Sequence, residues 1–411
     1  MLTPYLSLLR RPGTFRFSSA GFIQRLPLSM LGLGVVLFLT LRGEPYAVAG
    51  TIAAVGAVTN ACVGPFVSRY IDRLTQHRVL PVVVVIALAF QITFLVLVLS
   101  GAPVWTWFVS FALGEAFVPN VGSLIRARWA FVLSDADDVR TAFAFESVVD
   151  EFVFLIGPIL ATVLAVSWIA WGAIGASIAL LAIGTLLLVP QRATEPEPAG
   201  VGHHEGKAAI RYTGVPLVFA VFFLAGGLFG ASEVSTIAFA AERDIRVWTG
   251  VLLACYATGS ALAGLIVGTR HSSRSLSHQF RIAVIAMGFI ALPFPFVTSP
   301  VLLGALSFLA GLAVAPSMIT GMALTERLVP ASRLTEGLTI VISGLTVGFA
   351  AGTSLAGPLI DAHGSRAGFA VCAAFSLLGA ALVAVGTAHL DRALRGVTLS
   401  GHPSTAGDGR V

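Results

Sequence analysis

Residues 79–100 read VLPVVVVIALAFQITFLVLVLS, a run without one charged side chain. A helix rises about 1.5 Å per residue, so roughly 20 apolar residues cross the hydrocarbon of a bilayer. Working outward, comparable stretches lie at 20–41, 46–68, 104–128, 141–165, 168–190, 214–239, 248–269, 280–298, 301–325, 336–360 and 367–389. With the opening stretch they make twelve expected spans and predict an all-α membrane protein. Composition agrees. The 411 residues are 56% hydrophobic and 11% charged, whereas a soluble domain carries about a quarter of its residues as Asp, Glu, Lys and Arg. A water-facing surface could not be covered with so little charge.

The net charge of +5 does not indicate nucleic acid, because the arginines scatter at span ends and form no basic stripe with interleaved aromatics. Cys62, Cys255 and Cys372 lie in apolar stretches and read as small hydrophobes. His203 and His204 have nothing nearby to complete a metal site, and no cofactor motif is present. No small-residue cleavage site follows the first apolar stretch, so that span is expected to be retained.

Basic residues set the orientation. Arg69, Arg73, Arg78, Arg126, Arg128, Arg140, Arg192, Arg270 and Arg274 fall on the side of both termini, while the opposite loops hold only Arg42, Arg243, Arg246 and Arg366. Both termini are expected in the cytoplasm and the protein in the plasma membrane. The six tryptophans, Trp129 among them, fall near span ends and are expected at the headgroup level.

A Pro/Gly-rich polar stretch, QRATEPEPAGVGHHEGKAAIRYT at 191–213, separates two sets of six spans. It reads as a linker between halves at 1–190 and 214–393, with a disordered tail at 394–411. The halves resemble each other. Gly50, Ala61 and Gly64 match Gly250, Ala261 and Gly264 at one constant offset, and IGPIL at 156–160 matches AGPLI at 356–360. Pro119 and Pro316 lie centrally in the fourth and tenth spans. Duplicated halves around a midplane site are the architecture of alternating-access transporters.

The loop at 68–78, SRYIDRLTQHR, resembles the cytoplasmic signature G-x-x-x-D-R-x-G-R/K-R/K of the major facilitator superfamily. Asp72 and Arg73 match, Ser68 and Thr75 replace the glycines, and Gln76 and His77 replace the basic pair. Gly157-Pro158 is similar to a pair in the family's drug/proton antiporters. The resemblance implies twelve helices in two pseudo-symmetric six-helix halves and a monomer. A charged loop there would act as a latch, with Asp72 and Arg73 in it and Arg126 and Arg128 as partners for Asp72.

Ionisable groups inside hydrocarbon cost about 2.5–3.5 kcal/mol or more, so each needs a partner or a purpose. Glu146 and Asp150 share a face of the fifth span and Glu151 points about 100° away. Glu115 lies in the fourth span, Glu233 in the seventh and Arg25 in the first. Arg25 could pair with Glu146 or Asp150, and a carboxylate left over could load and release a proton. Asp150 and Glu151 are the first proton-coupling candidates, then Glu115 and Glu146; Glu233, Asn120 and Arg25 are cavity or gate candidates. Gly344, Gly348 and Gly352 form a small-residue stripe suited to close helix contact, between the halves or within one.

These readings point to proton-coupled export of a small amphipathic solute. Uptake by proton symport is the alternative. A polytopic membrane enzyme is a further one, against which stands the lack of any Ser/His/Asp set, His-rich metal cluster or phosphate-cradling loop.

Overall fold

The computed structural model describes residues 7–197, 209–269, 275–329 and 334–400, without the side chains of 72, 136, 137, 140, 265, 267–269, 334, 335 and 387–400. Its spans are α1 (Thr14–Leu41), α2 (Tyr46–Leu74), α3 (Gln76–Leu99), α4 (Val104–Ala116) with α5 (Val121–Val132), α6 (Ala136–Val163) and α7 (Gly172–Leu188). After the linker come α8 (Val215–Glu242), α9 (Thr249–Thr269), α10 (Leu276–Ala291), α11 (Pro300–Leu328), α12 (Leu334–His363) and α13 (Ser365–Ser400). Eleven spans are long and apolar enough to cross a membrane, and α7 is a shorter apolar helix. Large apolar side chains such as Val85, Leu186 and Val301 stay 64%, 73% and 82% exposed on the outside of the bundle. That surface suits lipid, because helices satisfy their own backbone groups and leave only side chains to face the hydrocarbon.

The fold is that of twelve membrane helices in two pseudo-symmetric halves. In the first half α1 packs on α6 and α7, and α2 on α4; in the second α8 packs on α12 and α13, and α9 on α11. Each contact has its repeat partner. The halves meet where α2 packs on α12 and α6 on α9. Glycines make these crossings close. A Cβ on Gly50 would lie 2.9 Å from the Thr353 carbonyl oxygen, one on Gly357 2.7 Å from the Tyr46 oxygen, and one on Gly250 2.7 Å from the Ile159 Cα. All of these positions lie toward the membrane face opposite the chain termini. On the terminus side, Phe66 and Tyr70 of α2 are about three-fifths exposed.

Of four details, the first and last refine the sequence expectations and the middle two correct them. The fourth span is broken at residues 117–120 around Pro119, whereas Pro316 sits inside the continuous α11. The twelfth span runs to Ser400, so residues 394–400 are helical rather than part of a disordered tail. Trp129 and Trp107 are buried in the protein, 0% and 4% exposed, instead of sitting at the headgroups. The stripe Gly344, Gly348 and Gly352 faces Phe219, Phe223 and Gly227 of α8 inside one half, so it is packing within a half and not a sliding surface between halves. The linker residues 198–208, with His203 and His204, and residues 401–411 lie outside the described residues.

Candidate functional site

The acids of α6 separate into two kinds. Glu146 is fully buried and held from three sides: Arg25 of α1 pairs with it, Ser18 Oγ donates at 3.0 Å and Trp129 Nε1 at 2.7 Å. Asp150, one turn further, accepts Arg25 Nη1 at 2.7 Å and Arg126 Nη2 at 2.8 Å. Spacing by four residues puts both carboxylates on the face that α1 and α5 cover. The sequence leaves Arg25 a choice between Glu146 and Asp150, and in the structure it takes both. Two guanidiniums therefore match two carboxylates, and Asp150, the first proton-coupling candidate, is bridged by cations.

Glu151, Glu115 and Glu233 differ. Each lies in a span, and among the described residues none of them has an ion pair; the neutral Gln91 side chain is the polar group beside Glu115. The Glu115 Oε1 atom is buried without a partner, as are both polar atoms of Gln91 on α3. The two lie in the same layer, since a Cβ on the adjoining Gly114 would meet Gln91 Cγ at 3.1 Å. Between residues 46–68 and 79–99, α2 and α3 carry no Asp, Glu, Lys or Arg to neutralise Glu115. Glu233 is partly exposed in the middle of α8, a helix that packs on α12 and α13 of its own half and touches α1 of the other.

Asn120 serves the backbone. Its Oδ1 accepts from Ser123 N at 3.2 Å and caps α5. Asn60 of α2 donates to the Glu115 and Val118 carbonyl oxygens at 2.8 and 3.0 Å. Backbone groups freed by a break inside a membrane need such partners. The break therefore holds Glu115 at a helix end.

On the face opposite the termini, Tyr46, Ala238, Ala241, Glu242, Arg246, Ile360 and Asp361 line a pocket of about 370 Å³ at the seam of the halves. At the other seam, between α6 and α9, the Pro158 carbonyl meets Gly250, while Gly157 packs on Ser29 and Met30 of α1.

A family model described as Major Facilitator Superfamily matches residues 17–303 and 249–398. The chain belongs to the major facilitator superfamily. Solved structures of transporters with this fold superpose over nearly the whole chain. The nucleoside transporter NupG has 15% identity and a TM-score of 0.67, covering 92% of this chain and 99% of its own. The peptide transporter POT in complex with sulfate has 12% identity and a TM-score of 0.69, covering 93% and 95%. The human organic anion transporter MFSD10 has 17% identity and a TM-score of 0.59, covering 91% and 100%. At such identities the likeness shows the fold. No curated protein matches the chain.

In this facilitator-family chain the described part of the signature loop engages the segment that follows α7. The Asp72 side chain lies outside the described residues, and Arg73 is exposed at the end of α2. Arg126 is engaged with Asp150. Arg128 is buried and donates to Gln76 Oε1, the Gln191 carbonyl and Thr194 Oγ1 at 2.7, 2.7 and 2.9 Å. It therefore clamps the start of the linker. His77 N and Nδ1 meet the Glu195 carboxylate at 2.9 and 2.8 Å. Of the two residues in the place of the family's basic pair, His77 thus grips the linker directly and Gln76 only through Arg128, a role that the fold brings out.

Thr75 stands where the signature has its second glycine and is the single residue between α2 and α3, with φ 89° and ψ 149°. That conformation is nearly confined to glycine and costs about 1–3 kcal/mol for other residues. Thr75→Gly is expected to stabilise the protein by about 1 kcal/mol, seen as a higher thermal midpoint in detergent. The lost Thr75 Oγ1 contact to His77 offsets part of the gain.

Proposed function

We propose that this protein is a secondary active transporter, not an enzyme, that works by alternating access and exports a small amphipathic solute in exchange for protons. Both termini then lie in the cytoplasm of a cell whose plasma membrane holds the protein, following the basic residues on that side. With that orientation, the closed seam on the opposite face corresponds to an inward-open form.

The observation that carries proton coupling is the set of three span acids without a cation, Glu115, Glu151 and Glu233, beside a neighbouring pair that is fully matched. An acid with no counter-ion in a low-dielectric site exists readily in its neutral form and can exchange a proton with water when a cavity reaches it. Asp150 moves from carrier to framework, and Glu146 with it. Export rests on the Gly157-Pro158 resemblance and on the few polar groups beside the cavity, which suit an amphipathic solute.

The test is proton flux in liposomes with a pH-sensitive dye inside and a panel of solutes outside. Solute-dependent proton movement opposite to the solute is the expected result, and movement with it would select symport. Glu233→Gln and Glu115→Gln are expected to lower the coupled flux by roughly tenfold or more, in the range of a general acid–base group's contribution. Glu151→Gln lowers it less because its site is more open. If all three amides leave the pH dependence of transport unchanged, these carriers are wrong.

A further inference from the structure

Asp361, at the far end of α12, places its carboxylate across the first turn of α2 in the other half. Its Oδ1 accepts Tyr46 N and its Oδ2 accepts Ala47 N, both at 2.8 Å. The first N–H groups of a helix have no partner within the helix and carry the positive end of its dipole. A carboxylate that takes two of them satisfies orphan donors and meets favourable charge at once.

Such caps are usually local, and one occurs beside it. Glu242, at the end of α8, accepts from Ser365 N and Oγ at 2.5 and 2.6 Å and so caps α13 within its own half. That cap can persist through any movement of the halves. The Asp361 cap cannot, because donor and acceptor belong to different halves. It exists only while the face opposite the termini is closed.

The internal repeat supplies a control. At the offset that relates Gly50 to Gly250, the position matching Asp361 is Ala161, which is fully buried, and the position matching Tyr46 is Arg246. At the α6–α9 seam the close approach is instead Gly250 against the Pro158 carbonyl and Ile159, and no carboxylate occupies the place of Asp361. Packing of the fold does not demand a carboxylate at such a seam. The α2–α12 seam has one in addition, beside a pocket where Arg246 has no ion pair among the described residues.

We propose that Asp361 is a gate residue of the transport cycle: a clasp that caps α2 across the two halves and holds the outer face shut in the inward-open form. Opening that face breaks two charge-assisted hydrogen bonds and takes the carboxylate away from the first N–H groups of α2. This goes beyond the proton-coupling proposal and does not depend on it.

The test reads the gate directly. Spin labels at Arg42→Cys and Arg366→Cys, with Cys62, Cys255 and Cys372 replaced by alanine, report the distance across the outer face by double electron–electron resonance. The full chain is used in nanodiscs with neither solute nor a proton gradient. Asp361→Ala is expected to raise the long-distance, open population roughly fivefold, and Asp361→Asn somewhat less, since one acceptor remains. Tyr46→Pro removes a donor while keeping Asp361, and proline is tolerated at the first helical position, so it is expected to act in the same direction. It also carries the test should the Asp361 variants not fold. Unchanged distance distributions in the variants that fold would overturn the clasp. Loss of proton coupling in the liposome assay would leave this result untouched.

Discussion

Arg25→Met is expected to destabilise the folded protein by about 3–5 kcal/mol, the usual consequence of leaving one member of a buried ion pair alone. The arithmetic of the site explains why. Arg25 and Arg126 match Glu146 and Asp150. Without Arg25, Asp150 still has Arg126, while Glu146 remains at 0% exposure with only Ser18 and Trp129 as donors. Arg25→Met combined with Glu146→Gln removes one charge of each sign and keeps an acceptor for Trp129. Thermal unfolding in detergent is therefore expected to show a large loss in the single variant and recovery of most of it in the double. Equal losses in both would mean that packing around Arg25, rather than charge, supports the site.

The second large effect is on function. Gly250→Ala sets a methyl group against the Pro158 carbonyl and the Ile159 Cα at the seam between α6 and α9. Overpacking of this kind costs about 1–3 kcal/mol, and here it bears only on the form in which that face is closed. The closed population is expected to fall roughly 5- to 150-fold relative to the open one, with transport falling correspondingly and folding little changed. Gly264→Ala is the control from the same repeat, since a Cβ there has its nearest neighbour, Ala315 Cβ, at 3.8 Å. Solute flux in liposomes should drop for the first and stay near the parent for the second. Similar fluxes would show that the seam tolerates a methyl group and that the close approach is incidental.

What the sequence reveals follows the kind of interaction involved. The spans are legible because lipid imposes one rule on every residue facing it, and the repeat is legible because Gly50 and Gly250 must both admit a neighbouring backbone. The Arg25 pairing is legible too, since a cation and two acids in hydrocarbon have few other partners. The role of Arg128 at the start of the linker is not legible, because its acceptors, Gln191 and Thr194, lie some sixty positions away. Trp129 reads wrongly as a headgroup anchor because an indole suits that layer and a buried carboxylate equally well. The glycine stripe on α12 is legible as contact, but the identity of its partner helix is not. The Asp361 clasp cannot be read at all, since its donors are backbone N–H groups that leave no mark on side-chain pattern.

The matched set on α1, α5 and α6 also bears on how the protein meets the membrane potential. A unit charge carried across 100 mV involves about 2.3 kcal/mol of electrical work. Arg25, Arg126, Glu146 and Asp150 sum to zero, so carrying them together along the field involves no net work, and only reorientation of their short dipoles as the first half turns contributes. The lone acids are different, because each contributes a charge when ionised and none when it holds a proton. Voltage sensitivity in this protein should therefore be borne by Glu115, Glu151 and Glu233, and it should change with the acidity of the side to which they are exposed.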